Sequence, residues 1–77
     1  MFEIYGTQQC HWCDRVKDLV NSTGFEYTYT DVGESEEAQQ MFRQNNYRTV
    51  PQVFHEGEHI GGYEATNKYL KENKIAN

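Results

Sequence analysis

Two of the 77 residues are cysteine, one is proline and one is tryptophan, and basic side chains are scarce: 7 Lys and Arg stand against 12 Asp and Glu, a formal charge of −5. Two cysteines are too few for the disulfide framework of a small secreted domain, and one bridge across three residues closes almost no loop in the unfolded chain. The shortage of positive charge opposes a polyphosphate partner, because nucleic-acid binding rests on a basic footprint; no nucleic-acid role is expected. Apolar residues fall in short clusters such as Phe2 to Tyr5 and Val50 to Phe54. None approaches the roughly 20 consecutive apolar residues of a membrane-spanning helix. Met1-Phe2-Glu3-Ile4 lacks the basic start, long apolar stretch and small-residue cleavage site of a secretory signal, so the chain reads as a soluble cytoplasmic protein. Its length allows one domain over residues 1–77 with a modest core, and no repeat, linker or low-complexity tract divides it.

What is there has a clear periodicity. Phe2 to Tyr5 reads as a buried strand stopping at Gly6, and a polar stretch leads to Cys10. From 11 to 22, Trp12, Val16, Leu19 and Val20 fall at helical spacing, with Gly24 as the stop. Phe25, Tyr27 and Tyr29 alternate with Glu26, Thr28 and Thr30, the pattern of a half-buried strand. Ser35 is placed to cap a second helix with Glu36 and Glu37 in its first turn, Ala38, Met41 and Phe42 on one face, and an end at Asn45-Asn46. Val50 to His55 reads as a strand entered through Pro51, Glu56-Gly57-Glu58 as a turn, and His59-Ile60 as the returning strand, released by Gly61-Gly62. A last helix from about Glu64 to Lys74 points Ala65, Tyr69 and Leu70 at the sheet, with Lys71 and Lys74 near its end. The order strand, helix, strand, helix, strand, strand, helix predicts an α/β fold: a four-stranded mixed sheet flanked by three helices.

Chemistry concentrates at Cys10-His11-Trp12-Cys13. The pair sits where a loop becomes a helix, at unpaired backbone N–H groups and the positive end of the helix dipole, a place that stabilises a thiolate. Cys13 lies one turn along, within the roughly 4.4 to 6.8 Å Cα separation a disulfide needs. Only the thiolate attacks a disulfide, and at the ordinary thiol pKa of about 8.5 only about 3% is ionised at pH 7. The helix start is expected to lower the Cys10 pKa, with His11 assisting in its protonated form and Asp14 acting against it. Trp12 has two readings, as the first rung of the helix's apolar stripe or as an exposed docking surface beside the sulfur. A second chemistry uses the same cysteines with His55 and His59 as a zinc site. The gap argues against it: residues 14 to 54 separate the pairs, against about a dozen in zinc fingers, and Glu56-Gly57-Glu58 is a turn rather than a helix. No metal is expected.

Three stretches carry a family resemblance: Cys10-His11-Trp12-Cys13 after the first strand, Thr49-Val50-Pro51-Gln52-Val53-Phe54, and His59-Ile60-Gly61-Gly62-Tyr63-Glu64. In this order and spacing they resemble the signature stretches of glutaredoxins, over nearly the whole chain, and their wording is similar to that of the short bacterial and phage dithiol members. The resemblance implies a thioredoxin-like fold with Pro51 cis and beside the cysteines, freeing the Val50 backbone to pair with an extended substrate or glutathione. It implies Cys10 as nucleophile and Cys13 as resolving cysteine. Thr49, Val50, Pro51, Gly61, Gly62, Tyr63 and Glu64 would form the glutathione or substrate site, the last helix's start taking the γ-glutamyl carboxylate and Glu64 its amine. Glutathione would be the co-substrate, with no tightly bound cofactor; protein disulfides, ribonucleotide reductase among them, would be partners of a monomeric oxidoreductase.

The sequence departs from the pattern at that same site. Thr7 stands where many members carry Lys or Arg, Ala38 where Gln or Arg is common, and Ala65 where a second acidic or polar residue is common. Two charge-assisted bonds of roughly 1.5 to 3 kcal/mol each would then be missing, enough to weaken glutathione binding tenfold or more. Gln8, Gln39 and Arg48 are the candidates to compensate, Arg48 otherwise being an ordinary surface arginine. Two alternatives follow: a thioredoxin-like electron donor reduced by a flavoprotein, and a carrier in which glutathione and Cys10 hold an iron-sulfur cluster between two chains.

Overall fold

The computed structural model of the protein describes residues 1–72. Strand β1 runs over Phe2–Gly6, one residue beyond its apolar cluster, with Phe2, Ile4 and Gly6 buried, Tyr5 half-buried and Glu3 exposed. Helix α1 occupies His11–Ser22 and buries Cys13, Val16 and Val20. Those residues are three and four apart and so share one face. Trp12 is rotated off that face and is 48% exposed, so the stripe begins at the second cysteine and not at the tryptophan.

Strand β2 spans Tyr27–Asp31. Phe25, expected inside this strand, precedes it, yet its ring meets Phe2 edge-on at 5.6 Å and closes that end of the core. A 3-10 turn over Val32–Glu34, which the periodicity does not announce, is tied by the Gly33 N–H donating to the Asp31 carboxylate at 2.9 Å. Helix α2 covers Glu36–Gln44, and the Ser35 hydroxyl caps it by accepting the Ala38 N–H at 3.1 Å. Asn46, at φ 60°, turns the chain out of the helix as expected. Strands β3, Gln52–His55, and β4, Glu58–Gly61, are joined by the two-residue turn Glu56-Gly57, so Gly61 ends a strand rather than opening a loop. Helix α3 runs over Tyr63–Glu72. Its buried residues are Thr66 and Leu70, four apart; Ala65, expected against the sheet, is exposed. Lys74, assigned from sequence to the end of this helix, lies outside the described residues.

The strand order is β2-β1-β3-β4, with β1 parallel to β2 and antiparallel to β3, and β3-β4 an antiparallel hairpin. This is the mixed four-stranded sheet with three helices of the thioredoxin-like fold. On one face Phe2, Ile4 and Val53 of the sheet pack with Val16 and Val20 of α1 and Leu70 of α3. Each such side chain contributes about 1.5–3 kcal/mol by leaving water. On the other face, Phe42 of α2 joins Tyr5, Tyr47 and Phe54 in an edge-to-face cluster with centroids 5.5–6.4 Å apart. Tyr5 pairs with Gln52 and Gly61 with Val53. The end of β1, the start of β3 and the end of β4 therefore meet at one end of the sheet, and α1 and α3 both start there. No helix among the described residues is long and apolar enough to cross a membrane.

Candidate active site

At that end of the sheet Cys10 takes the N-cap position of α1, with extended backbone at φ −135° and ψ 105°. Its sulfur accepts the Cys13 backbone N–H at 3.1 Å, and its carbonyl accepts the Asp14 N–H at 3.1 Å. Cys10 and Cys13 are joined as a disulfide with Cα atoms 5.1 Å apart. The two sulfurs are not equivalent. Cys10 is half-buried and open to approach, whereas Cys13 is 0% exposed on the core face of α1. Once the pair is reduced, an incoming disulfide meets Cys10 first. The helix-start N–H that points at its sulfur lowers the free energy of a negative charge there. Asp14 spends part of its charge on Lys17, 3.4 Å away, which weakens its opposition to that thiolate. His11 is exposed and lies edge-on to Trp12 at 5.7 Å.

Beside the pair lies a groove of about 280 Å³. One wall is Thr49, Val50 and Pro51; the other is Gly62 and the first turn of α3, Tyr63, Glu64 and Ala65, with Trp12 between them. The Val50–Pro51 peptide bond is cis, as the resemblance implied. The cysteines do not themselves line the groove; Trp12, one of the two residues between them in sequence, joins the two. The first N–H groups of α3 have no intrahelical partner. Gly62 anchors that turn, its carbonyl accepting the Thr66 N–H at 3.0 Å and hydroxyl at 2.8 Å. Gly61 is not in the lining but shapes it: at φ +129°, with the Ala65 methyl 3.0 Å from where its Cβ would stand, only glycine fits without strain. Of the residues singled out from sequence, Arg48 stays apart, exposed and donating to the Asn46 side chain at 3.4 Å. Ala38 lines a different groove with Tyr5 and Met41. Gln39 is spent on the 3-10 turn, donating to the Val32 carbonyl at 2.9 Å.

Two supporting residues escaped the sequence reading. Gln52, 8% exposed, donates to the Thr49 carbonyl at 3.0 Å and to its hydroxyl at 3.3 Å, while its oxygen meets His59 Nε2 at 2.7 Å. It fixes the first wall of the groove; a polar residue at a buried strand position was the available signal. Tyr29 donates its hydroxyl to the Thr7 carbonyl at 2.6 Å and holds the loop before Cys10. Burial, then Asp14 and Asp31, raise its pKa above 10, and burial with Glu3 and Glu37 raises that of Tyr5. A folded state that keeps a phenol proton longer than the unfolded chain is favoured below the unfolded pKa of about 10 and loses that advantage as pH rises through the folded value. Urea midpoints followed from pH 8 upward are thus expected to fall beyond about pH 10, and less steeply in Tyr29→Phe; equal slopes would remove this coupling.

The zinc arrangement does not form. His55 stacks on Phe2 at 4.2 Å and bonds Tyr69 at 2.7 Å on one face of the sheet, while His59 stacks on Tyr47 at 4.6 Å on the other. Among the described residues no three His, Cys, Asp or Glu side chains gather as a metal site.

Comparison with known proteins agrees with this geometry. The glutaredoxin family model matches residues 2–60. The chain is 36% identical to glutaredoxin 1 of Escherichia coli K12 over 78 aligned residues, covering 91% of this chain and 92% of that protein. It superposes on the solution structure of reduced Escherichia coli glutaredoxin with a TM-score of 0.77 at 35% identity, covering 97% and 98% of the two chains. On the buckwheat glutaredoxin-glutathione complex the TM-score is 0.80 at 26% identity, covering 96% and 71%. Glutaredoxins exchange thiols and disulfides without a tightly bound cofactor. With an accessible and a buried cysteine at the head of its first helix, this chain belongs to the glutaredoxin family of thiol-disulfide oxidoreductases.

Proposed function

We propose that the protein is a glutathione-dependent oxidoreductase that reduces protein disulfides, ribonucleotide reductase among them, and glutathione mixed disulfides in the cytoplasm as a monomer. The observation that carries the reading is the difference between an open Cys10 at the helix cap and a buried Cys13 one turn behind it. The Cys10 thiolate attacks one sulfur of the substrate disulfide; the other sulfur leaves as a thiolate, and Cys10 is left in a mixed disulfide. With a protein substrate, Cys13 gives up its proton and attacks Cys10, releasing the reduced protein and closing the Cys10–Cys13 bond. Two molecules of glutathione reopen it: the first forms a mixed disulfide at Cys10, and the second releases oxidised glutathione. With a glutathione mixed disulfide, Cys10 alone suffices.

Glutathione fits the groove by its chemistry. The backbone at Val50, ahead of Pro51, serves an extended peptide, the first turn of α3 takes a carboxylate, and Glu64 takes an amine. One observation favours a second reading. No Lys or Arg lines the groove among the described residues, and the residue at position 7 is a threonine. A site so short of cations binds glutathione weakly and suits a thioredoxin-like donor recharged by a flavoprotein.

Coupled assays separate the two. With glutathione, glutathione reductase and a small glutathione mixed disulfide, NADPH consumption is expected to depend on the protein, with an apparent glutathione affinity tenfold or more below that of a member carrying both basic groups. Turnover only with a thioredoxin-reductase-type flavoprotein would transfer the assignment to the second reading.

A further inference from the structure

Arg15, on the exposed side of α1, is the one cation that the groove's aromatic residues hold in place among the described residues. Its guanidinium carbon lies 5.0 Å from the Trp12 ring centre and 5.3 Å from that of Tyr63, and the two rings are 5.4 Å apart, so the three groups form a near-equilateral triangle across the starts of α1 and α3. Both rings line the groove; Arg15 does not, and stands on its outer rim. Unlike Lys17, which is bound to Asp14, and Lys68, which is bound to Glu72, Arg15 makes no hydrogen bond or ion pair among the described residues. A guanidinium resting on aromatic rings keeps the N–H donors of its edge, which match a carboxylate two at a time. Contact with the rings also limits the freedom of its stem, so less is lost when it binds.

We propose that this triangle is a specificity site for protein substrates: Arg15 takes the carboxylate of an Asp or Glu flanking the disulfide under attack, while exposed Trp12 packs on the same segment. The inference rests on the oxidoreductase function proposed above. A ligand confined to the groove would meet Thr49, Pro51 and Tyr63, whereas a longer peptide leaving it crosses the rim and meets Arg15. Tryptophan, tyrosine and arginine are also the residues on which binding energy concentrates at protein contacts. The charge of −5 over the whole chain opposes acidic partners at long range. Charges beyond the Debye length of about 8 Å at physiological salt are screened, however, and leave the choice to the local cation. Glu64 in the groove's lining, and Asp14 and Asp18 along α1, are the acidic groups that act against it.

Two disulfide-bridged peptides, alike except for Glu or Lys beside the attacked cysteine, test the proposal, with a small neutral glutathione mixed disulfide as a third substrate. At about 0.15 M salt, wild-type kcat/KM is expected to favour the Glu peptide by roughly tenfold. Arg15→Gln brings the ratio near one, Arg15→Glu inverts it, and about 0.5 M salt shrinks the wild-type ratio. Because each ratio is internal to one protein, a partly unfolded variant does not alter it. A wild-type ratio near one, or a ratio unmoved by both substitutions, overturns the proposal. Turnover of the neutral substrate with neither peptide reduced also overturns it and leaves the oxidoreductase reading standing, whereas no turnover of any of the three defeats both.

Discussion

Cys10→Ser is expected to lose turnover of every disulfide substrate by at least about a thousandfold, because the serine hydroxyl stays protonated at neutral pH and no other thiol takes the helix-cap position. Cys13→Ser divides the substrates. It keeps a substantial share of activity on glutathione mixed disulfides, where Cys10 alone completes the exchange, and loses protein-disulfide reduction, where the mixed disulfide at Cys10 has no resolving partner. That stalled adduct is visible by intact mass. The prediction rests on unequal exposure, Cys10 half-buried and Cys13 fully buried. Equal loss in both variants on the small substrate would mean that the buried sulfur takes part in every cycle.

The second large effect is steric and falls behind the cysteines. A Cβ on Gly6 would stand 2.6 Å from the Cys13 sulfur and closer still to the Tyr29 hydroxyl, where real Cβ contacts essentially never come within 3.0 Å. Tyr29 is committed to the Thr7 carbonyl and Cys13 to the core face of α1, so neither swings away freely. Gly→Ala ordinarily stabilises by about 0.4–1 kcal/mol through the unfolded chain where the backbone allows it. Overpacking of a filled site costs about 1–3 kcal/mol, and here it wins. For a chain of this size Gly6→Ala is then expected to lower Tm by roughly 5–15 °C. Protein-disulfide reduction should fall further than mixed-disulfide reduction, because the displaced sulfur is the resolving one. A variant with wild-type Tm and the wild-type balance of substrates would show that the end of β1 does not hold Cys13 in place.

Local rules made much of this fold legible. Ser35 followed by two glutamates marks a helix start whatever surrounds it, and Cys13, Val16 and Val20 recur at the helical period because only one face of α1 meets the sheet. What failed was the choice between neighbours. Ala65, and Trp12 in one of its two readings, were put on buried faces because apolar residues were counted without the rotation that packing sets; one residue along, Thr66 and Cys13 hold those places, and exposed Trp12 fits its other reading. Thr66 reads as polar in a sequence, but its hydroxyl is satisfied by the carbonyl of Gly62, just ahead of its own helix, and burial then costs little. The 3-10 turn was hidden because an aspartate side chain, not a pattern of apolar residues, holds it.

Of the candidate site, the cysteines, the Thr49-Val50-Pro51 wall and the start of α3 were legible as motifs. The cis bond before Pro51 came from family resemblance alone, since few X-Pro bonds are cis. Gln52, Tyr29 and Arg15 were not legible. Gln52 reaches Thr49 locally, three residues back, but its partner His59, the Tyr29 partner Thr7 and the Arg15 partner Tyr63 are brought near by the register of the sheet or the packing of α1 on α3.

The central claim is that the start of α1 makes Cys10 a ready nucleophile, and the direct measurement is a thiolate absorbance titration of the reduced protein, with Cys13→Ser to isolate one sulfur. The account predicts a Cys10 midpoint clearly below the ordinary thiol value of about 8.5, because the helix dipole and the Cys13 N–H favour the anion and Lys17 offsets part of Asp14. A midpoint above about pH 8 would mean that the helix start does not activate Cys10, and would contradict the account at its base.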